Sequence, residues 1–229
     1  MENPLTKAIK KHWRILTDPK ARQERQRVRK FNREQGRGTP TRYGGLSAES
    51  VVFDLGGYQG EWTSDMRALY DCKVHVFEPH PTFAAALQAR FADDPKVVCH
   101  DFALGSADGT LELSDTEDAS SAFVAGGPHV TGQVRAAEAV IPTLGLNRIS
   151  AMKINIEGGE YDILPHLIAT GLIREIDWLS IQFHDYSSGD HARRDNIRAA
   201  LENTHRCIWN YPFVWEQWQR QDRTSKHDI

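Results

Sequence analysis

Val51-Val52-Phe53-Asp54-Leu55-Gly56-Gly57-Tyr58-Gln59-Gly60 reads as an apolar strand, an acidic residue near its end, a glycine-rich turn and the start of a helix. Glycine permits the positive φ and the close approach of backbone to a ligand that such a turn needs. Ligands of open α/β sheets bind outside the carboxyl ends of the strands, where this turn falls. A glycine-rich turn is also a common structural device, so its meaning depends on what surrounds it.

Outward from it, short apolar runs alternate with amphipathic ones, the pattern of a parallel sheet covered by helices. Strands are expected at Val51–Leu55, Lys73–Phe77, Lys96–Phe102, Thr110–Leu113, Met152–Ile156 and Trp178–Phe183. Helices are expected near Glu61–Tyr70, over Pro81–Ala92, Glu160–Thr170 and Asp190–Asn203. Arg206–Tyr211 and Phe213–Trp218, separated by Pro212, form a closing antiparallel pair. Ser114–Val140 has little periodicity and reads as a loop-rich insertion, a candidate lid. The fold class is α/β, with a mostly parallel central sheet and helices on both faces.

Two further stretches carry chemistry. Val76-Phe77-Glu78-Pro79 ends the second strand, where a carboxylate can accept both ribose hydroxyls of an adenosine-containing cofactor. The glycine turn is not G-x-G-x-x-G, and the acidic Asp54 would repel a pyrophosphate while suiting the cationic amino-acid end of S-adenosylmethionine. Lys153-Ile154-Asn155-Ile156-Glu157-Gly158-Gly159-Glu160 ends a central strand beside the same crevice, with Ile154 and Ile156 alternating toward the core.

Taken in order, Asp54–Thr63, Phe77-Glu78-Pro79-His80-Pro81, Ala103-Leu104-Gly105 with Asp108-Gly109, and Lys153–Glu160 resemble the FkbM-type family of S-adenosylmethionine-dependent methyltransferases. The resemblance covers roughly residues 50–185. It implies a class I methyltransferase (Rossmann-like) fold, S-adenosylmethionine as cofactor, and methyl transfer to a hydroxyl of a sugar, glycoconjugate or small natural product. By position it assigns Asp54, Gly56 and Gly60 to the methionine pocket and Glu78 to the ribose, and Gly57 and Tyr58 of the same turn are further candidate cofactor-binding residues. Asp101 and Phe102 fall to the adenine side, and Asn155 to the cofactor amine. Three positions depart from the family pattern: Tyr58 stands where Asn is usual, Asn155 where Asp is usual, and Gly145 follows Thr143-Leu144 in place of an acidic residue. Asn155 keeps hydrogen-bonding capacity without charge.

For the acceptor side, His184 in Ile181-Gln182-Phe183-His184-Asp185 is a candidate proton acceptor. The unperturbed imidazole titrates near 6.5, and general-base help is worth roughly 10²–10⁴-fold. Glu157, Glu160 and Lys153 complete the candidate catalytic set. A divalent metal held by His184 with Asp185, Glu157 or Glu160 is the weaker reading, since no tight ligand spacing demands one.

The net charge of −3 hides a division. Residues 1–45 carry 13 Lys+Arg against 4 Asp+Glu, leaving 15 against 27 for the rest. A basic N-terminal extension (1–45) therefore precedes an acidic methyltransferase domain (46–229). Leu5, Ile9, Trp13 and Leu16 recur at helical spacing among lysines, which suits either a leader packed on the domain or a second subunit, or an arm on an anionic surface. No nucleic-acid motif is apparent. No run approaches the roughly 20 apolar residues of a membrane span, and no secretory signal is evident. Cys72, Cys99 and Cys207 are few and scattered, as in a soluble cytoplasmic protein. Two other functions fit the residues less closely: a dinucleotide-dependent oxidoreductase, and a non-catalytic cofactor-binding protein on a methyltransferase fold.

Overall fold

The computed structural model describes residues 18–114 and 129–221. The expectations for the leader before residue 18, and for the insertion between 115 and 128, lie outside these residues. The first described helix, α1 (Pro19–Glu34), is followed by β1 (Val51–Leu55), α2 (Glu61–Tyr70), β2 (Lys73–Phe77), α3 (Pro81–Arg90) and β3 (Val97–His100). Next come β4 (Phe102–Gly105), β5 (Gly109–Ser114), β6 (His129–Ala136), α4 (Ala137–Thr143), β7 (Ala151–Ile154) and α5 (Glu160–Thr170). A short 3-10 turn (Leu172–Glu175), β8 (Trp178–Ile181), α6 (Asp190–Leu201), β9 (His205–Tyr211) and β10 (Trp215–Arg220) are the last elements of the described residues.

Among the described residues, seven strands form the main sheet in the order β3-β2-β1-β7-β8-β10-β9. The first five are parallel, and the C-terminal hairpin adds the last two antiparallel. The apolar character of β1 follows from burial on both faces. Period-2 alternation sends Phe53 and Leu55 into one core with Phe77, Met152, Ile163 and Leu164, and Val52 into another with Val74, Trp62, Met66 and Leu87. The sheet is thus clamped between α5 on one side and α2 and α3 on the other.

Helix α1 lies against the far edge of the sheet. Phe31 packs on Trp209 and Tyr211, with ring centroids 5.9 and 5.4 Å apart, and Glu34 accepts a 2.8 Å hydrogen bond from the Tyr211 hydroxyl. The end of the basic extension is therefore joined to the domain by a specific aromatic contact.

The structure divides two stretches differently from the sequence expectation. The third strand, expected over Lys96–Phe102, ends at His100. After exposed Asp101, Phe102–Gly105 leaves the main sheet and pairs with β6. Within the expected loop-rich insertion, His129–Ala136 is a strand that pairs antiparallel with β5. The resulting small sheet has the order β4-β6-β5. Among the described residues, no helix is long and apolar enough to cross a membrane.

Candidate functional site

A cavity of about 510 Å³ opens at the carboxyl ends of β1, β2 and β7, walled on its other side by the small sheet. Gly56, Tyr58, Glu78, Asn155 and Glu157 line it, together with Ala103-Leu104-Gly105 and Leu111–Ser114. Three regions distant in sequence therefore meet at one opening, where the strand-end rule places a ligand.

The glycine turn has a different reason for each glycine. Gly56 takes φ +80°, and a Cβ there would fall 2.1 Å from the Asn155 carbonyl oxygen. The backbones of the β1 and β7 ends approach so closely that only hydrogen fits. Gly57 and Gly60 do not line the cavity; side chains there would meet Val76 and Leu87 or Phe91, so they let β2 and α3 pack close to the turn. Tyr58 has φ +49°, a left-handed conformation that Asn adopts more readily than Tyr. Its ring stands edge-on to Phe83 at 4.8 Å.

Glu78 is 7% exposed, and both of its oxygens are held by backbone. The Tyr58 N–H donates to Oε2 at 2.9 Å and the His80 N–H to Oε1 at 3.0 Å. Burial raises its pKa against the lowering effect of those two donors. A carboxylate so oriented retains lone pairs for further donors from the cavity.

Asp54 and Lys153 are placed behind this surface. The Lys153 ammonium donates to Asp54 Oδ1 at 2.8 Å and to the Gly56 carbonyl at 2.6 Å, while Thr63 donates to Asp54 Oδ2 at 2.8 Å. Asp54 is fully buried and Lys153 is 4% exposed. Their side chains brace the turn from beneath and do not line the cavity. Asp101 is exposed, and Phe102 packs on Phe77 and beneath Arg135. The next three residues supply that wall in their place.

The β7–α5 turn holds the second polar group. Glu157 has φ +51° and is followed by Gly158 at φ +101°. A left-handed non-glycine residue costs of order 1–3 kcal/mol and persists only where its surroundings hold it. Glu160 provides that hold: the Gly158 N–H donates to its Oε2 at 2.8 Å, and the His184 N–H to its Oε1 at 2.8 Å. His184 Nδ1 is also 2.9 Å from Glu160 Oε1, and its Nε2 is 3.5 Å from Glu157 Oε2. Burial pushes the imidazole pKa down, but hydrogen bonds and charge from the two carboxylates outweigh it and hold it at about 9. For Glu157, burial pushes upward and is outweighed by His184 and by the Tyr186 hydroxyl, which donates to Oε2, so its pKa is lowered. The His184 ring is thus held between the Glu160 and Glu157 side chains, with Glu157 facing the cavity.

Five of the expected residues therefore meet at the cavity: Gly56, Tyr58, Glu78, Asn155 and Glu157. Asp54, Gly57, Gly60, Lys153, Glu160 and His184 stand behind them. The sequence reading did not identify Phe83, Glu112, Asp162, Val134 or Tyr186. Glu112 and Val134 come from strands of the small sheet, and Tyr186 from an irregular segment beyond β8, none of which has a motif. Among the described residues, no group of three or more His, Cys, Asp or Glu side chains is arranged to hold a metal ion.

The parallel sheet, the acidic strand ends and the glycine turn over one cavity define a class I methyltransferase fold. A family model described as the methyltransferase FkbM domain matches residues 54–204, and the chain belongs to that family. The solved methyltransferase FkbM of Methylobacillus flagellatus KT is similar over 76% of this chain, with a TM-score of 0.53 and 16% identity. The match covers 44% of that protein, so this chain spans less than half its length. A fibrillarin pre-rRNA processing protein of Methanococcus jannaschii matches over 85% of this chain and 75% of its own, with a TM-score of 0.48 and 11% identity. A putative rRNA-methylase of Clostridium thermocellum matches over 76% and 88%, with a TM-score of 0.47 and 8% identity. No curated protein matches the chain.

Proposed function

We propose that the protein is an S-adenosylmethionine-dependent O-methyltransferase acting on a hydroxyl of a sugar, glycoconjugate or small natural product. The observation that carries this reading is the single cavity lined both by Glu78 at the end of β2 and by the Asn155–Gly159 run at the end of β7. Its polar groups suit the cofactor on chemical grounds. Glu78 offers carboxylate lone pairs to ribose hydroxyls. Asn155 Oδ1 is a buried acceptor with no hydrogen-bond partner among the described residues, which suits the ammonium of the methionine end. The Gly56 position, which admits no Cβ, lets backbone approach a ligand closely.

When bound, the cofactor supplies an electrophilic methyl group on a sulfonium. The work of the chain is then alignment of a hydroxyl with that methyl, since holding two reactants in line can supply much of the acceleration. In our reading Glu157, ionised and facing the cavity, accepts the hydroxyl proton as the C–O bond forms. His184, protonated near neutrality, keeps Glu157 ionised and together with Glu160 fixes the turn; this assigns it a positioning role in place of the proton-accepting role expected from its sequence position. No step requires a metal.

The test is transfer of label from methyl-labelled S-adenosylmethionine to a panel of hydroxylated acceptors, followed by mass analysis of the product. Growth of an O-methyl product that is abolished in Glu157→Gln supports the reading. Transfer to nitrogen or carbon only would overturn the O-methyl assignment, and a matching NADH titration would favour an oxidoreductase.

A further inference from the structure

The function above leaves α1 unused. This helix has seven basic residues against two acidic ones. At 100° per residue, Arg22, Arg29 and Arg33 fall within about 40° of one another, and Phe31 lies about 180° from their mean direction. Burial agrees with this geometry: Phe31 is 3% exposed and seated on the β9–β10 hairpin, whereas Arg22, Arg29 and Arg33 are all exposed. Arg33 shares its charge with neighbouring Glu34 at 3.0 Å. Exposed Lys30 flanks the row and reaches over the Tyr211 ring. The result is a stripe of arginines about 16 Å long on a helix fixed by its opposite face.

We infer that this stripe is a docking surface for an anionic lipid bilayer. Arginines in a row complement an anionic surface, and near a membrane each basic residue is worth about 1 kcal/mol. The rest of the molecule decides between a membrane and a nucleic acid. Beyond residue 45 the chain carries an excess of 12 acidic residues, and among the described residues the cavity is lined by Glu78, Glu112, Glu157 and Asp162 and by no Lys or Arg. A nucleic acid reaching from α1 toward the cavity would bring its phosphates against those carboxylates. A bilayer can touch only the α1 edge of the sheet, which is separated from β7 by β8 and β10. The sequence immediately before α1 points the same way, with Leu5, Ile9, Trp13 and Leu16 set among Lys7, Lys10, Lys11 and Arg14.

The test is co-sedimentation of the full chain with phosphatidylcholine vesicles and with mixed phosphatidylcholine–phosphatidylglycerol vesicles. Binding is expected only to the anionic vesicles. It should be lost between about 0.1 M and about 1 M salt, as the screening length falls from about 10 Å to about 3 Å. The triple change Arg22→Gln, Arg29→Gln, Arg33→Gln is expected to weaken partitioning on the order of 100-fold. A control removing two charges elsewhere, Lys96→Gln with Arg148→Gln, is expected to leave it unchanged. If melting by circular dichroism shows the triple variant unfolded, Arg29→Gln alone, with an expected loss of about fivefold, replaces it. The inference is overturned by equal binding to neutral vesicles, by binding to neither, by no effect of the arginine changes, or by tighter binding to single-stranded RNA at the same salt. None of these outcomes depends on methyl transfer.

Discussion

Raising the pH from about 6 to about 10 should remove stability contributed by His184, and the size of the loss follows from its surroundings. Its ring lies between Glu160 at 2.9 Å and Glu157 at 3.5 Å, and its pKa is held at about 9 against 6.5 for an unperturbed histidine. A group whose folded pKa is raised binds more protons in the folded state throughout the interval between the two values. Its contribution is fully present below pH 6.5 and is lost as pH rises through 9. At about 1.36 kcal/mol per pH unit the loss is about 3 kcal/mol. Urea unfolding of the wild type and of His184→Asn should be measured across this range, so that other titrating groups largely cancel in the difference. The wild type's advantage is expected to shrink by about 3 kcal/mol from the acidic to the alkaline end. A difference independent of pH would refute the reasoning. It would mean that His184 is neutral in the folded protein, and the role of proton acceptor would return to it from Glu157.

The Glu78→Ala change should weaken S-adenosylhomocysteine binding by about 10–100-fold, the value of losing a charge-assisted hydrogen bond; unchanged affinity by calorimetry would remove Glu78 from the ribose role. Lys153→Met should destabilise the fold by about 3–5 kcal/mol in denaturant, because Asp54 is left buried and uncompensated; adding Asp54→Asn should recover most of it. Gly56→Ala should cost about 2–4 kcal/mol from its left-handed backbone and the overlap with the Asn155 carbonyl, read as a lower denaturation midpoint. On the acid side, burial is the main reason the His75 pKa is lowered to about 4. Between pH 6.5 and 4 the unfolded chain binds the extra proton, so stability falls as pH falls; His75→Phe should flatten that part of the curve.

Local patterns made the sheet legible. The apolar runs at Val51–Leu55 and Trp178–Ile181, each interrupted by one polar residue (Asp54 and Ser180), need only nearest neighbours to be read, and Glu160–Thr170 is bounded by glycines at both ends. Strand β6 escaped notice because Gly132 occupies a place where its alternation needs a side chain. A Cβ there would lie 2.8 Å from the Pro79 carbonyl oxygen, so contact with a distant strand end removed the signal. The same holds at the site. Glu78 and the glycine turn are recognisable because strand ends carry rules. The pairing of Lys153 with Asp54, 99 residues away, depends on register between β1 and β7. His184 showed the right residue type at the right strand end, but its protonation is set by two carboxylates on another element. Tyr58, unusual in the turn, takes a left-handed conformation that favours Asn and packs its ring on Phe83, neither of which a single sequence reveals.

The central claim is that the cavity at the ends of β1, β2 and β7 holds S-adenosylmethionine, and isothermal titration of the full chain with S-adenosylhomocysteine tests it most directly. The prediction is saturable binding at one site per chain, accompanied by a ligand-dependent rise in melting temperature. A chain that is folded by circular dichroism yet shows neither heat of binding nor thermal stabilisation at millimolar ligand would contradict the account.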